Sequence, residues 1–249
     1  MTFIYGVNPV KEALLARRSE VEKVLIARET RGKVVSAIIT SAEKYNITVE
    51  RVAAEQLQRV AGRVRHQGIV ALLRRGFGYS SLGEIILRVT KCREKGIRAF
   101  VLVLDSVQDA GNVGSLIRAA SCVGVGGVVI ARDRACPVTA AVEKASAGGV
   151  SHVPVARVTN LARAVRELKE AGLWAVALEA DGERDIYAAD LSEDLALVVG
   201  GESAGVRRLV REACDECLSI PMAGPVGSLN AAQAGAIALF EALRQGLKG

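Results

Sequence analysis

Three loops of this 249-residue chain carry the residue types that chemistry needs, and each follows directly on an apolar run. The first comes after Val101-Leu102-Val103-Leu104. It holds two acids, Asp105 and Asp109, then Asn112 at the start of an expected helix, and Arg118 six residues later. Helical side chains angle back towards the N-terminus, so a guanidinium at Arg118 beside free backbone N–H groups would favour an anion such as phosphate. Asn112 reads equally as a plain helix cap, and Arg118 equally as a surface salt-bridge former. The second loop, Gly200-Gly201-Glu202-Ser203-Ala204-Gly205, follows Leu195-Ala196-Leu197-Val198-Val199 and sets one carboxylate among glycines that let backbone approach a ligand. The third runs from Ile220 to Asn230. Its Ser228 and Asn230 are both able to cap the helix that follows.

These loops matter because of the elements that carry them. From residue 98 the chain alternates apolar runs, read as strands at 99–104, 128–131, 153–155, 173–178, 195–199 and 217–220, with helices at 113–122, 139–147, 161–171 and 206–214. A final helix is expected from 230 to 245. Near-continuous apolar strands are those of a parallel sheet covered on both faces, so the pattern predicts an open, doubly wound α/β sheet. Ligands in such sheets bind beyond the carboxyl ends of the strands, where all three loops would lie. The last helix, small and apolar nearly all round, is expected to be buried or to pack on another chain.

The first 75 residues have a shorter rhythm. A helix begins near Asn8-Pro9, with Asn8 as its cap, and strands are expected at 21–27, 48–52 and 68–73, with helices at 33–45 and 54–63. A glycine- and serine-rich break, Gly76-Phe77-Gly78-Tyr79-Ser80-Ser81, and a lead-in helix at 82–95 follow. The chain thus divides into residues 1–75, a linker and lead-in helix at 76–97, and residues 98–249.

Charge follows the same division. The whole chain carries 33 Lys and Arg against 27 Asp and Glu, but residues 1–75 hold 14 against 7. All of the positive excess sits in the first third. A polyanion, RNA or DNA, would gain from such a surface through counterion release; an ordinary solvated face is the alternative. No apolar run reaches the ~18–20 residues of a membrane span, and no signal-peptide layout is visible, so a cytoplasmic protein is expected. Gly124-Val125-Gly126-Gly127 precedes its strand, and the glycines from 200 to 205 have the wrong spacing, which disfavours a dinucleotide site. Cys214-Asp-Glu-Cys217 stands without a second pair, and the cysteines are read as ordinary thiols with no metal.

Together and in this order, the three loops resemble the SpoU/TrmH family of RNA ribose methyltransferases. The family's first motif, an acid, Asn-x-Gly and Arg, is matched by Asp109, Asn112, Gly114 and Arg118. Its second, Gly-x-Glu-x-x-Gly, is matched by Gly200, Glu202 and Gly205. Its third is matched by Ile220, Pro221, Met222, Ser228, Leu229 and Asn230. Residues 5–13 and 66–71 are similar to the family's N-terminal RNA substrate-binding domain. One departure is Ala110-Gly111, which stands where many members have proline followed by another residue.

The resemblance implies methylation of a ribose 2′-hydroxyl by S-adenosylmethionine, most closely that of a guanosine in 23S ribosomal RNA. A transfer-RNA substrate and a non-catalytic ribosome-associated RNA-binding protein are the alternatives. It further implies a SPOUT-type catalytic domain with a deep trefoil knot, and a homodimer with the last helix at the interface. The cofactor would lie against backbone around Gly200, Ile220 and Leu229. Arg118 would hold the target phosphate, while Asn112, Glu202, Ser228 and Asn230 orient Arg118 and the ribose by hydrogen bonds.

Overall fold

The computed structural model describes residues 2–202 and 205–247; Ser203 and Ala204 of the second motif loop lie outside the described residues. The basic third of the chain folds as β1 (Thr2–Tyr5), α1 (Val7–Ala16), β2 (Val21–Ala27), α2 (Lys33–Lys44), β3 (Thr48–Val52), α3 (Ala54–Ala61) and β4 (Ile69–Leu73). Its sheet has the order β1-β4-β2-β3 and is mixed, with β4 antiparallel to both β1 and β2 and β3 parallel to β2. The strand β1 escaped the sequence reading, being four residues with no turn ahead of it. Asn8 is not a cap: α1 starts one residue earlier from Gly6, whose φ of 97° marks the turn, and no side chain caps it.

After α4 (Leu82–Glu94) the rest of the chain forms β5 (Phe100–Asp105), α5 (Ala110–Val123), β6 (Gly127–Ala131), α6 (Ala140–Ala145), β7 (Val155–Val158), α7 (Leu161–Glu170) and β8 (Trp174–Leu178). It continues through β9 (Arg184–Asp185), β10 (Leu195–Gly200), α8 (Arg208–Arg211), β11 (Glu216–Ser219) and α9 (Ala231–Gly246). Seven strands make one parallel sheet in the order β7-β6-β5-β10-β8-β11-β9. Both faces are covered, as expected for a doubly wound sheet. Leu116, Ile117, Ala238 and Leu239 of α5 and α9 pack on one face. Ile85 and Val89 of α4, with Leu161, Val165 and Leu168 of α7, pack on the other. The strand order reverses where β10 inserts beside β5, and the first two motif loops leave the sheet at that switch point.

Two expected elements shift for identifiable reasons. The strand placed at 153–155 pairs only from Val155, because Pro154 has no N–H to give to a ladder. The helix placed at 206–214 shrinks to the four residues of α8. The backbone N–H groups of Val206 and Arg207 are held by the carboxylates of Glu179 and Asp105, and Arg207 stays extended at ψ 143°.

The segment between the two sheets is anchored. Ser80 donates its N–H to Val155 O (2.9 Å), the Tyr79 hydroxyl accepts from Val138 N (2.8 Å), and Ser81 and Glu84 form a capping box on α4. Arg17, leaving α1, reaches Glu143 of α6 at 2.5 Å and Ser151 at 3.1 Å, and lies over the Phe77 ring at 5.3 Å. Glu12 pairs with His152 at 2.8 Å. No helix of the described residues is long and apolar enough to cross a membrane.

Candidate active site

The cap of α5 is Asp109, whose Oδ1 accepts the N–H of Asn112 at 2.8 Å. The helix therefore starts at Ala110, earlier than expected, and Asn112 sits inside the first turn with its side-chain amide free for other work. On the opposite side of the switch point, Asn230 caps α9: its Oδ1 accepts from Ala232 N (2.8 Å) and Gln233 N (3.3 Å). Its amide then donates to Asn112 Oδ1 at 3.0 Å and to Glu202 Oε1 at 2.7 Å. The Asn112 amide also donates to Glu202 Oε1. Asn112, Glu202 and Asn230, one from each motif loop, thus close a triangle of hydrogen bonds.

The middle loop is held by two groups to which the sequence reading gave no role. Asp105 ends β5 fully buried, and a buried carboxylate demands partners. It accepts from Arg207 N (2.8 Å), Arg207 Nε (2.7 Å) and Ser106 Oγ (3.1 Å). Glu179, just past β8, accepts from Val206 N at 2.5 Å. Burial pushes the Glu179 carboxyl above its ordinary range, and the Val206 hydrogen bond opposes that shift. A signal for Asp105 was present in the sequence, an acid closing a strand of five apolar residues. Nothing local marked Arg207 as its partner 102 residues away.

Glycine is required at two motif positions by close approach. A Cβ on Gly200 would stand 2.1 Å from the carbonyl carbon of Gly205, which folds back so that its N–H meets Gly201 O at 2.9 Å. A Cβ on Gly114 would stand 2.4 Å from that of Ala145 and 2.8 Å from Val142 O, so α5 and α6 meet backbone to backbone there.

Two clefts flank the triangle and share Gly201 and Glu202 as a common wall. The first, of about 260 Å³, is lined by the side chains of Leu178, Val199, Ile220 and Leu229, by Ser228, and by the backbone of Gly200. It combines apolar walls with exposed peptide groups, a lining suited to a flat heterocycle whose edges are read by backbone. The second, of about 270 Å³, is polar and includes Arg134 and Arg207.

Two expected site residues lie apart from the triangle. Ser228 is exposed in the first cleft and makes no hydrogen bond with any described residue; of the two candidate caps, Asn230 takes that role. Arg118 is exposed on α5 and has no hydrogen bond or ion pair with any described residue. The expectation that Asn112, Glu202, Ser228 and Asn230 bond to it does not hold within this chain. Six residues along a helix carry a side chain roughly 120° away from its starting direction. Arg118 accordingly lies on the side of α5 that meets the turn Gly149–Ser151, its Cα 3.3 Å from the place a Gly149 Cβ would take.

Known proteins resemble this chain in sequence and in fold. The family model described as SpoU rRNA Methylase matches residues 99–240, and that described as RNA 2′-O ribose methyltransferase substrate binding matches residues 3–75. The 23S rRNA (guanosine-2′-O-)-methyltransferase RlmB of Xanthomonas axonopodis pv. citri is 39% identical over 247 residues, covering 98% of this chain and 97% of its own length. RlmB of Escherichia coli K12 is 37% identical over 245 residues, covering 97% of this chain and 98% of its own. Among solved structures, the SpoU methyltransferase AviRb from Streptomyces viridochromogenes in complex with the cofactor AdoMet superposes with a TM-score of 0.77. It is 26% identical and covers 99% of this chain and 91% of its own.

Proposed function

We propose, from the premise that the chain belongs to the SpoU rRNA methylase family, that it methylates the ribose 2′-hydroxyl of a guanosine in 23S ribosomal RNA with S-adenosylmethionine as donor. The observation that carries this reading is the triangle of Asn112, Glu202 and Asn230 on the wall between an apolar, backbone-lined cleft and a polar one. The full-length relatives named for this reaction support it, as does the match of residues 3–75 to the substrate-binding model.

The residues of the first cleft fit the donor: its apolar walls suit an adenine, and peptide groups around Gly200, Ile220 and Leu229 would hold it. When bound, it supplies a methyl group already activated by its sulfonium, so the protein's task is alignment and charge. Asn112, Glu202 and Asn230 fix one another's rotamers and present a rigid polar edge to the ribose. Ser228, with its hydroxyl uncommitted, is a further hydrogen-bonding group for the acceptor. A guanidinium is a poor base, so Arg118 does not take the hydroxyl's proton; it holds an RNA phosphate and offsets charge growing on the oxygen.

In this reading a second copy of the chain covers α9, and the C-terminal segment forms the trefoil knot. Phe240 on α9 is about half exposed, Leu247 beyond it and Val226 in the third motif loop are more so, and Leu229 in that loop is about a third exposed. The chain passes from β11 through that loop and returns as α9, which packs on β10 and α5. An enzyme acting on ribosomal RNA of this kind works in the cytoplasm. The deciding experiment incubates the protein with radiolabelled S-adenosylmethionine and 23S ribosomal RNA, then maps the label. A single 2′-O-methylguanosine is expected. Label on transfer RNA alone, or on a base, would refute the assignment, and no transfer to any RNA would leave a binding protein.

A further inference from the structure

The polar cleft is built around two guanidinium groups that the motifs do not include. Arg207 spends its Nε and its backbone N–H on buried Asp105, which locks the side chain in place while about a third of it stays exposed at the cleft. Its two terminal nitrogens make no hydrogen bond with any described residue. Arg134, in the loop between β6 and α6, has no hydrogen bond or ion pair with any described residue. Its φ of 60° is one that non-glycine residues seldom adopt and that asparagine tolerates well. A long cation held on strained backbone and paired with none of the described residues is a binding group in waiting.

The carboxylates in the same cleft keep their charge, but each has one oxygen turned to an amide donor and neither pairs with Arg134 or Arg207. Glu202 Oε1 accepts from the amides of Asn112 and Asn230, and Asp109 Oδ1 accepts from Asn112 N. The lining therefore offers two guanidinium groups for an anion and fixed amides and carboxylates for hydroxyls, which is the polarity of a nucleotide. Because Gly201 and Glu202 also wall the first cleft, a ribose seated here would abut the donor.

We infer that this second cleft seats the nucleotide to be methylated, with Arg134 and the Asp105-anchored Arg207 binding its phosphate. The inference rests on the ribose methyltransferase reading and adds an anion subsite distinct from Arg118. The carboxylate of the donor's amino-acid tail is an anion of the same chemistry, and the test separates the two.

The test replaces Arg134 in the full-length chain, Arg134→Asn, which keeps a residue suited to the left-handed backbone and removes only the charge. Filter binding of protein-free 23S ribosomal RNA transcript should weaken about ten-fold. The slope of log affinity against log salt should fall by about 0.7–0.9, the loss of one phosphate contact. Calorimetry should show S-adenosylmethionine affinity within two-fold of wild type. RNA affinity and salt slope that do not change would overturn the inference. So would a fall in donor affinity with RNA binding intact, which assigns Arg134 to the donor's carboxylate. Methyl transfer by the wild-type protein is measured alongside. Its absence would remove the parent reading, while the binding comparison still reports whether Arg134 holds RNA.

Discussion

Arg118 is where residue type and placement pull furthest apart. Its motif sets it among the catalytic residues, yet it is exposed on the side of α5 that meets the turn Gly149–Ser151 and pairs with none of the described residues. An arginine whose partner is RNA would look this way before RNA arrives. Arg118→Ala should abolish methyl transfer while leaving S-adenosylmethionine affinity within a few-fold, measured by labelled-donor assay and calorimetry; an equal loss of donor binding would show the role to be wrong. Another residue gives a pH test. Burial, with Cys217 and Asp215 nearby, pushes the Cys214 thiol up to about 12. Near pH 8.5 its reactive thiolate is then about a thousand-fold scarcer than that of an ordinary cysteine. Alkylation followed by peptide mass spectrometry should label exposed Cys122 long before Cys214, whose rate should climb about ten-fold per pH unit. Equal rates near pH 8.5 would contradict this.

At the scale of elements, the parallel sheet was legible because apolar runs and helical spacing are local signals. The triangle's members were legible as types at the ends of those runs. What stayed hidden depends on partners distant in sequence. Asp109 takes the cap that Asn112 seemed to offer, and Asp105 and Glu179 hold Val206 and Arg207 out of α8. The spacing of Arg118 from Asn112 already contained their divergence around α5, but only against a known neighbour does that become a position. The loop between β10 and α8 is the most constrained of these elements. Gly200→Ala would force its Cβ into the Gly205 backbone. Such overpacking is expected to cost about 1–3 kcal/mol and to displace Glu202. A lowered melting temperature with donor binding lost is the expected result, and a variant with native donor affinity would show that the loop can relax.

Across the whole molecule, the positive excess lies on residues 1–75, while the residues lining the two clefts all belong to the other domain. Arg63, Arg65, Arg74 and Arg75 are all exposed, and among the described residues only Arg75 of the four has an ion pair, a loose one of 3.7 Å to Glu20. Neutralising all four should weaken RNA binding and flatten its salt dependence by several phosphate contacts, read by the same filter assay; unchanged affinity would place the RNA surface elsewhere. The two domains are joined through Arg17 and buried Glu143. Burial raises the Glu143 carboxyl above its ordinary range and Arg17 opposes the rise. With the folded value above the unfolded one, the ionised group costs stability at neutral pH, and the cost fades as acid protonates it. Arg17→Ala should therefore lose about 3–5 kcal/mol in urea melts at pH 7 and less near pH 5. A loss independent of pH would indicate packing rather than charge.

That clasp has a geometric corollary. A hinge would let the gripping end and the reacting end search for each other; a charge-locked joint fixes the span between them like the jaws of a calliper. An RNA is then accepted by the distance separating its anchor from its target ribose. A stem lengthened or shortened between those points would still be gripped and yet never be methylated.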